Sequence, residues 1–162
     1  MNIRPCTPND APVICDIYNY YIKNTVITFE EELLTKKCIL QRIKSYCSKY
    51  PWLVLENDSG DVVGYAYGAP WTERSAYQYT VEVTVYLHYL EGGKGYGSAL
   101  YRQILALLAG GGFHAVVARI ALPNEASVKF HEALGFTKVA HFTEVGRKFD
   151  RWIDVGCWQA ML

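Results

Sequence analysis

A glycine-rich segment, residues 92–98, is the strongest candidate in this sequence for binding a ligand. Glycine has no Cβ, so consecutive backbone amides can point to the same side of a loop. The start of a following helix adds partial positive charge, and the combination binds pyrophosphate groups. A flexible turn that binds nothing is the alternative. The candidate residues are Gly93, Lys94, Gly95, Tyr96, Gly97 and Ser98.

Two common glycine loops do not match this segment. A P-loop needs Gly-Lys followed by Ser or Thr, and Lys94 is followed by Gly95. A dinucleotide-binding fingerprint needs a third glycine where Leu100 stands. These two kinds of phosphate site are therefore excluded, which leaves either a phosphate site of another kind or a turn that binds no ligand.

Glu82 is the candidate general base. It lies in a segment of β-branched and aromatic residues, 79–87, which predicts a strand. Strand alternation puts Thr80, Glu82, Thr84 and Tyr86 on one face. A positioned carboxylate can take a proton from a reacting group. The alternative is a solvent-facing glutamate, since most strand carboxylates are exposed.

A second candidate group follows a predicted strand at residues 114–121. Asn124 precedes a short predicted helix as its N-cap. Ser127 and His131 are four residues apart and share one face of that helix. Histidine can donate a proton near neutral pH. The alternatives are a purely structural cap at Asn124 and a surface histidine at 131.

The elements that position these residues follow from periodicity and turn signals. We expect an α/β fold with one mixed sheet and helices on both faces, in a single domain, residues 1–162. Thr7 and Asp10 form a capping-box pattern at the first helix. The expected strands are 3–5, 52–56, 62–68, 79–87, 114–121, 136–145 and 155–162, and the expected helices end at 22, 50, 109 and 134.

Composition excludes several classes of function. Lys plus Arg equals Asp plus Glu, 16 each, so no net charge attracts nucleic acid or a membrane surface. The five cysteines include no C-x-x-C pair, so we expect no metal and read them as reduced thiols of a cytoplasmic protein. No signal peptide is recognisable. Aromatics make up 14% of residues, which suits a tyrosine-rich core and surface as well as an aromatic pocket or a subunit interface.

Four segments together resemble the GNAT N-acetyltransferase superfamily. They are 79–86, 93–97, 124–136 and 148–155. The first and last are similar in particular to the phosphinothricin and methionine sulfone (or sulfoximine) N-acetyltransferase group. This resemblance implies a GNAT-like acyl-CoA N-acyltransferase fold, a central, mostly antiparallel sheet flanked by helices. It also implies acetyl-CoA as acetyl donor, a small amino-acid-like amine as acceptor, and a homodimer.

The resemblance also implies individual roles. Glu82 would act as base through a water and His131 as proton donor to the thiolate. The backbone of Val85, Tyr86 and Leu87 would pair with the pantetheine arm, and one amide there would donate to the thioester oxygen. The loop would hold the diphosphate, with Asn124 and Ser127 also contacting the cofactor. The implied acceptor site consists of Phe29, Glu30, Arg74, Tyr77 and Lys148.

Two positions depart from the pattern of that group. Gly92 stands where Gln or Arg usually contributes a side-chain contact to the phosphates, and Thr72 stands where an arginine is common. These departures motivate one alternative hypothesis, and the same fold allows a second. One is an acyl-CoA-binding sensor without catalysis. The other is an acetyltransferase whose acceptor is a polyamine or a protein N-terminus.

Overall fold

The computed structural model describes residues 1–162. The apolar segments that the sequence predicts to be strands form one seven-stranded sheet. The strand order is β1-β2-β3-β4-β5-β7-β6, and every neighbouring pair is antiparallel except β4 and β5. The expected mixed, mostly antiparallel sheet is therefore confirmed. The strands are β1 (Asn2–Pro5), β2 (Trp52–Glu56), β3 (Val62–Pro70), β4 (Thr80–Leu87), β5 (Ala115–Leu122), β6 (Thr137–Lys148) and β7 (Arg151–Met161).

Four α-helices connect the strands: α1 (Ala11–Asn24), α2 (Lys36–Tyr46), α3 (Tyr96–Gly110) and α4 (Glu125–Ala133). One 3-10 turn precedes α1, where the Asp10 carboxylate accepts from the Thr7 amide at 2.7 Å. That contact is half of the expected capping box. No helix is both long and apolar enough to cross a membrane.

The sheet is buried on both faces, in two separate hydrophobic clusters. On one face Val81 and Val83 of β4 pack with Leu100 and Ile104 of α3. On the other face the buried residues of α1 and α2 pack against neighbouring strands. Tyr86, on the opposite face of β4 from the valines, belongs to this second cluster. The expectation of helices on both faces is confirmed.

Three expected boundaries are wrong: the end of α2, the end of β6 and the start of β7. Helix α2 ends at Tyr46 rather than Tyr50, and Tyr50 instead closes a turn by donating to the Tyr46 carbonyl at 2.8 Å. Pro51 disfavours a helical backbone in the residue before it, and the Tyr50 ring is buried in the core. Strands β6 and β7 extend to a two-residue turn, Phe149-Asp150, whose φ angles are +50° and +56°.

Candidate active site

The parallel strands β4 and β5 separate soon after they meet. Their pairing covers only Thr80 to Glu82 on β4 and Ala115 to Val117 on β5. Beyond this point β4 pairs only with β3, and β5 only with β7. The backbone of β4 after Glu82 therefore has no strand partner on its β5 side. Unpaired strand edges accept an extended ligand as an added strand.

A cavity of about 1100 Å³ opens at this separation. Most of its lining residues are apolar or aromatic, and they come from both diverging strands, from α4, from β6 and β7 and from the loop after α1. It brings together eight of the residues expected at the site. They are Phe29, Glu30, Tyr77, Glu82, Val85, Tyr86, Ser127 and His131.

Glu82 stands at the point where the two strands part. Its side chain is 17% exposed. Both carboxylate oxygens accept from Arg119 of β5, from Nε at 2.7 Å and from Nη2 at 2.5 Å. The carboxylate is therefore held in one orientation at the cavity wall by a two-point contact, which has a fixed planar geometry.

Arg119 was not among the expected site residues. Its guanidinium lies 5.6 Å from the ring centre of Trp71, in the arrangement of a cation–π contact. The hydrogen bond to Glu82 raises the pKa of Arg119, although burial acts in the opposite direction. One sequence signal could have found it, because Arg119 is the single charged residue in the apolar strand β5.

The glycine loop joins β4 to α3, outside the cavity wall. Gly93 and Gly95 have φ angles of +77° and +79°, values that only glycine adopts easily. No backbone N–H from Gly92 to Ser98 donates a hydrogen bond within the chain. Lys94 is exposed, and its Nζ donates to Glu91 at 2.7 Å. The free donors here are thus consecutive amides at a helix start, which suit a diphosphate.

Asn124 caps α4, since its side-chain oxygen accepts from the Ser127 amide at 3.1 Å. It lies outside the main cavity, whereas Ser127 lines it. Leu87 also lies outside, and its carbonyl accepts from the Tyr21 hydroxyl at 2.7 Å. Asn124 is therefore confirmed as the N-cap of α4, and its contact with a cofactor stays a prediction.

His131 is buried rather than on the surface. Its Nδ1 lies 2.8 Å from the Ser127 carbonyl, which can only accept, so Nδ1 carries the proton. Nε2 then accepts from the Tyr101 hydroxyl at 2.9 Å. Burial lowers the pKa of His131, and the bond to the Ser127 carbonyl only partly offsets this. The folded protein therefore favours neutral imidazole.

This burial predicts a loss of stability in mild acid. The unfolded chain binds a proton at His131 near pH 6.5, whereas the folded chain resists it, so stability falls as pH drops below that value. Between pH 7.5 and 5.5 we expect the free energy of unfolding to fall through this group, by at most about 1.4 kcal/mol, the free energy of one pKa unit. Urea unfolding at both pH values should show a smaller difference in His131→Gln than in the unchanged chain.

The matched control is His114→Gln, because His114 is exposed. It should keep the full pH dependence. Asp10 and Asp154, whose pKa values are lowered by partner groups, contribute only below about pH 4, outside this window. If the free energy of unfolding depended on pH identically in His131→Gln and in the unchanged chain, the buried imidazole would not be the cause of the loss in mild acid.

The expected acceptor residues separate into two groups. Phe29, Glu30 and Tyr77 line the cavity. Glu30 is paired with Arg42 at 2.7 Å and accepts from the Tyr18 hydroxyl at 3.2 Å. A second carboxylate of the wall is thus also held by an arginine.

Arg74 and Lys148 do not line the cavity. Arg74 is exposed in the loop before β4. Lys148 is buried, and its Nζ donates to the Thr28 carbonyl at 2.8 Å, which connects β6 to the loop after α1. Burial lowers the pKa of Lys148. In this structure its contact is with the backbone behind the wall.

Comparison with known proteins decides the family. Residues 3–156 match the family described as acetyltransferase (GNAT) domain. The chain belongs to the GNAT acetyltransferase family. The phosphinothricin N-acetyltransferase of Streptomyces viridochromogenes is 42% identical over 98% of this chain and 86% of its own length. The L-methionine sulfoximine/L-methionine sulfone acetyltransferase of Salmonella typhimurium is 34% identical, covering 100% and 95%.

Solved structures agree with this assignment. A GNAT superfamily phosphinothricin acetyltransferase from Sinorhizobium meliloti, in complex with acetyl-CoA, superposes with a TM-score of 0.97. It is 31% identical and covers 99% of this chain and 88% of its own. This GNAT protein is accordingly an acetyl-CoA-dependent N-acetyltransferase that acts on small amines.

The residues of this GNAT chain fit acetyl-CoA. The loop from Gly92 to Ser98 offers unpaired amides for the diphosphate. The unpaired β4 edge after Glu82 offers backbone groups for the amide-containing pantetheine arm. No group of three or more His, Cys, Asp or Glu side chains is arranged to hold a metal ion.

Proposed function

We propose that this GNAT enzyme acetylates the amino group of a small amino-acid-like acceptor, of the phosphinothricin, methionine sulfoximine or methionine sulfone kind. The observation that carries the proposal is the Glu82 carboxylate, held at the wall of a cavity beside the unpaired edge of β4. The relatives named for such acceptors, described above, match along nearly the whole chain.

The chain's own groups provide the steps that a bound acceptor needs. When bound, acetyl-CoA supplies a thioester carbonyl open to attack by a neutral amine and a thiol leaving group. Glu82 takes the proton of the acceptor ammonium through a water, so that the amine becomes nucleophilic. One backbone amide of β4 donates to the carbonyl oxygen, where negative charge develops. The attacking nitrogen loses its second proton as the amide forms, and one proton is taken up by the departing sulfur, so the transfer balances without a further donor. His131 is neutral, with Nδ1–H bonded to the Ser127 carbonyl and Nε2 to the Tyr101 hydroxyl, so it shapes the wall and does not supply the proton that the resemblance implies.

The acceptor lies in the half of the cavity near the loop after α1. Phe29 packs against Gly146 of β6, so closely that any side chain at 146 would overlap its ring. Phe29 and Tyr77 give apolar surface, while Glu30 gives a carboxylate. A small molecule with one apolar and one polar part fits this lining.

An acceptor screen with acetyl-CoA tests the proposal through release of free thiol. The panel contains the three named acceptors, a polyamine and a short peptide with a free N-terminus. Turnover of at least one amino-acid-like acceptor, well above that of the polyamine and peptide, is the expected result. Tight acetyl-CoA binding in calorimetry with no turnover of any acceptor would instead favour the non-catalytic sensor.

The proposal includes a homodimer and a cytoplasmic location. Strand β6 is one of the two edges of the sheet, and its exposed apolar side chains Val139, Phe142 and Val145 also line the cavity. An exposed apolar edge is usually covered by a partner. Sedimentation equilibrium should give twice the mass of one chain, and a monomer at micromolar concentration would refute it. All five cysteines are free thiols, which is common in the reducing cytoplasm.

A further inference from the structure

The cavity wall contains a single lysine or arginine, Arg119. The lining also contains two acidic side chains, the carboxylates of Glu30 and Glu82. Arg42 lies outside the lining and is paired with Glu30. Arg74 and Lys148 are outside it as well. An anionic group that enters with the acceptor therefore meets one fixed positive charge.

Arg119 has donors to spare for such a group. A guanidinium carries five N–H donors. Glu82 takes one from Nε and one from Nη2, and no other hydrogen bond of Arg119 exists within the chain. Three N–H groups, one on Nη2 and two on Nη1, remain. The side chain is 56% exposed, and its cation–π contact with Trp71 uses none of the N–H donors as a hydrogen bond.

The charges of the pair match those of an amino acid. An α-amino acid carries an ammonium and a carboxylate on the same carbon, so its two charges lie side by side. Glu82 and Arg119 also present opposite charges side by side, at hydrogen-bond distance. An ammonium placed at Glu82 for deprotonation brings the neighbouring carboxylate to Arg119, where the free Nη edge allows a two-point contact.

We propose that Arg119 is the specificity-determining residue of the acceptor site and binds the α-carboxylate of the acceptor while Glu82 receives the adjacent ammonium. This inference rests on the proposed function, and it gives a chemical reason why the acceptor is an amino acid. Amines without a neighbouring carboxylate, such as polyamines and peptide N-termini, leave the guanidinium donors unpaired and bind poorly. A site built around a charged hydrogen bond discriminates strongly against ligands that lack it.

A matched pair of acceptors tests Arg119. The pair is methionine sulfone and the amine that remains when its carboxylate is removed. In the unchanged enzyme kcat/KM should favour the amino acid by about 10- to 100-fold, the size of a charged hydrogen bond. In Arg119→Met the preference should fall below about threefold, chiefly through a higher KM for the amino acid. Arg119→Lys, which keeps the charge, should recover part of the preference.

Arg147→Met is the control, because Arg147 also makes a cation–π contact with a tryptophan, Trp152, and pairs with a carboxylate, Asp150, yet lies outside the cavity. It should keep the full preference. Equal turnover of both acceptors by the unchanged enzyme would overturn the role of Arg119 and leave the proposed function standing.

A binding measurement keeps the inference testable without turnover. Methionine sulfone is titrated into enzyme saturated with coenzyme A, in the unchanged chain and in Arg119→Met. A roughly tenfold or greater loss of affinity is expected in the variant. Equal affinity in both would overturn the inference even if no acceptor is acetylated.

Discussion

Glu82→Gln should lower kcat/KM for the amino-acid acceptor by about 10²- to 10³-fold at pH 7, the usual contribution of a positioned general base. Glutamine keeps the shape of the side chain and can still accept one hydrogen bond from Arg119, but it cannot take a proton. The loss should shrink as the pH rises above the pKa of the acceptor amine, because solvent then removes the proton. A pH–rate profile from pH 6 to 10 measures this.

Two comparisons isolate the chemical step. Calorimetry should show that Glu82→Gln binds acetyl-CoA as tightly as the unchanged enzyme, which separates catalysis from folding. Glu30→Gln is the matched carboxylate, since Glu30 also lines the cavity and is also paired with an arginine. It should change the KM of the acceptor and keep the shape of the pH profile. A Glu82→Gln enzyme with an unaltered profile would remove Glu82 from the role of base.

Much of the scaffold could be predicted from local sequence signals. The alternation of β4 correctly placed Val81 and Val83 on one face and Tyr86 on the other. The glycines of residues 92–98 correctly indicated a strand-to-helix loop. These features depend on neighbouring residues only, so periodicity and backbone freedom suffice to find them.

Other features depend on contacts that sequence spacing does not reveal. Arg119 pairs with a carboxylate 37 positions earlier in the chain. That contact exists only because β5 pairs with β4 for three residues and then diverges. The apolar pattern of β5 predicts a buried strand but does not say where its partner leaves it. Likewise, the turn Phe149-Asp150 has positive φ at both residues without the Asn or Gly that usually marks such a turn.

The expectation for Lys148 and Arg74 illustrates a further limit. The family resemblance assigns residue types to an acceptor site, but not the direction of each side chain. In the fold, Lys148 donates to the Thr28 carbonyl and Arg74 lies in an exposed loop, whereas Arg119 reaches the wall. The cation beside the base thus comes from a strand that the motifs did not indicate.

Gly95→Val should raise the Kd for acetyl-CoA by about 10- to 100-fold, the equivalent of losing one or two charge-assisted hydrogen bonds. Gly95 is the N-cap of α3 with φ at +79°, where a β-branched residue is strongly disfavoured. A valine there has open space around its side chain, so the backbone rather than packing decides the outcome. The backbone of the loop must change conformation to relieve the strain, and its free amides then no longer point together toward the diphosphate.

Gly60→Val is the matched control, because Gly60 has φ at +85°, has open space around it and lies in the turn between β2 and β3. It should cost similar stability and leave the Kd for acetyl-CoA unchanged. Lys94→Met separates amides from side-chain charge. The Glu91 carboxylate already neutralises Lys94, so this variant should weaken binding less than about fivefold. If Lys94→Met weakened binding more than Gly95→Val, the lysine rather than the row of amides would hold the diphosphate.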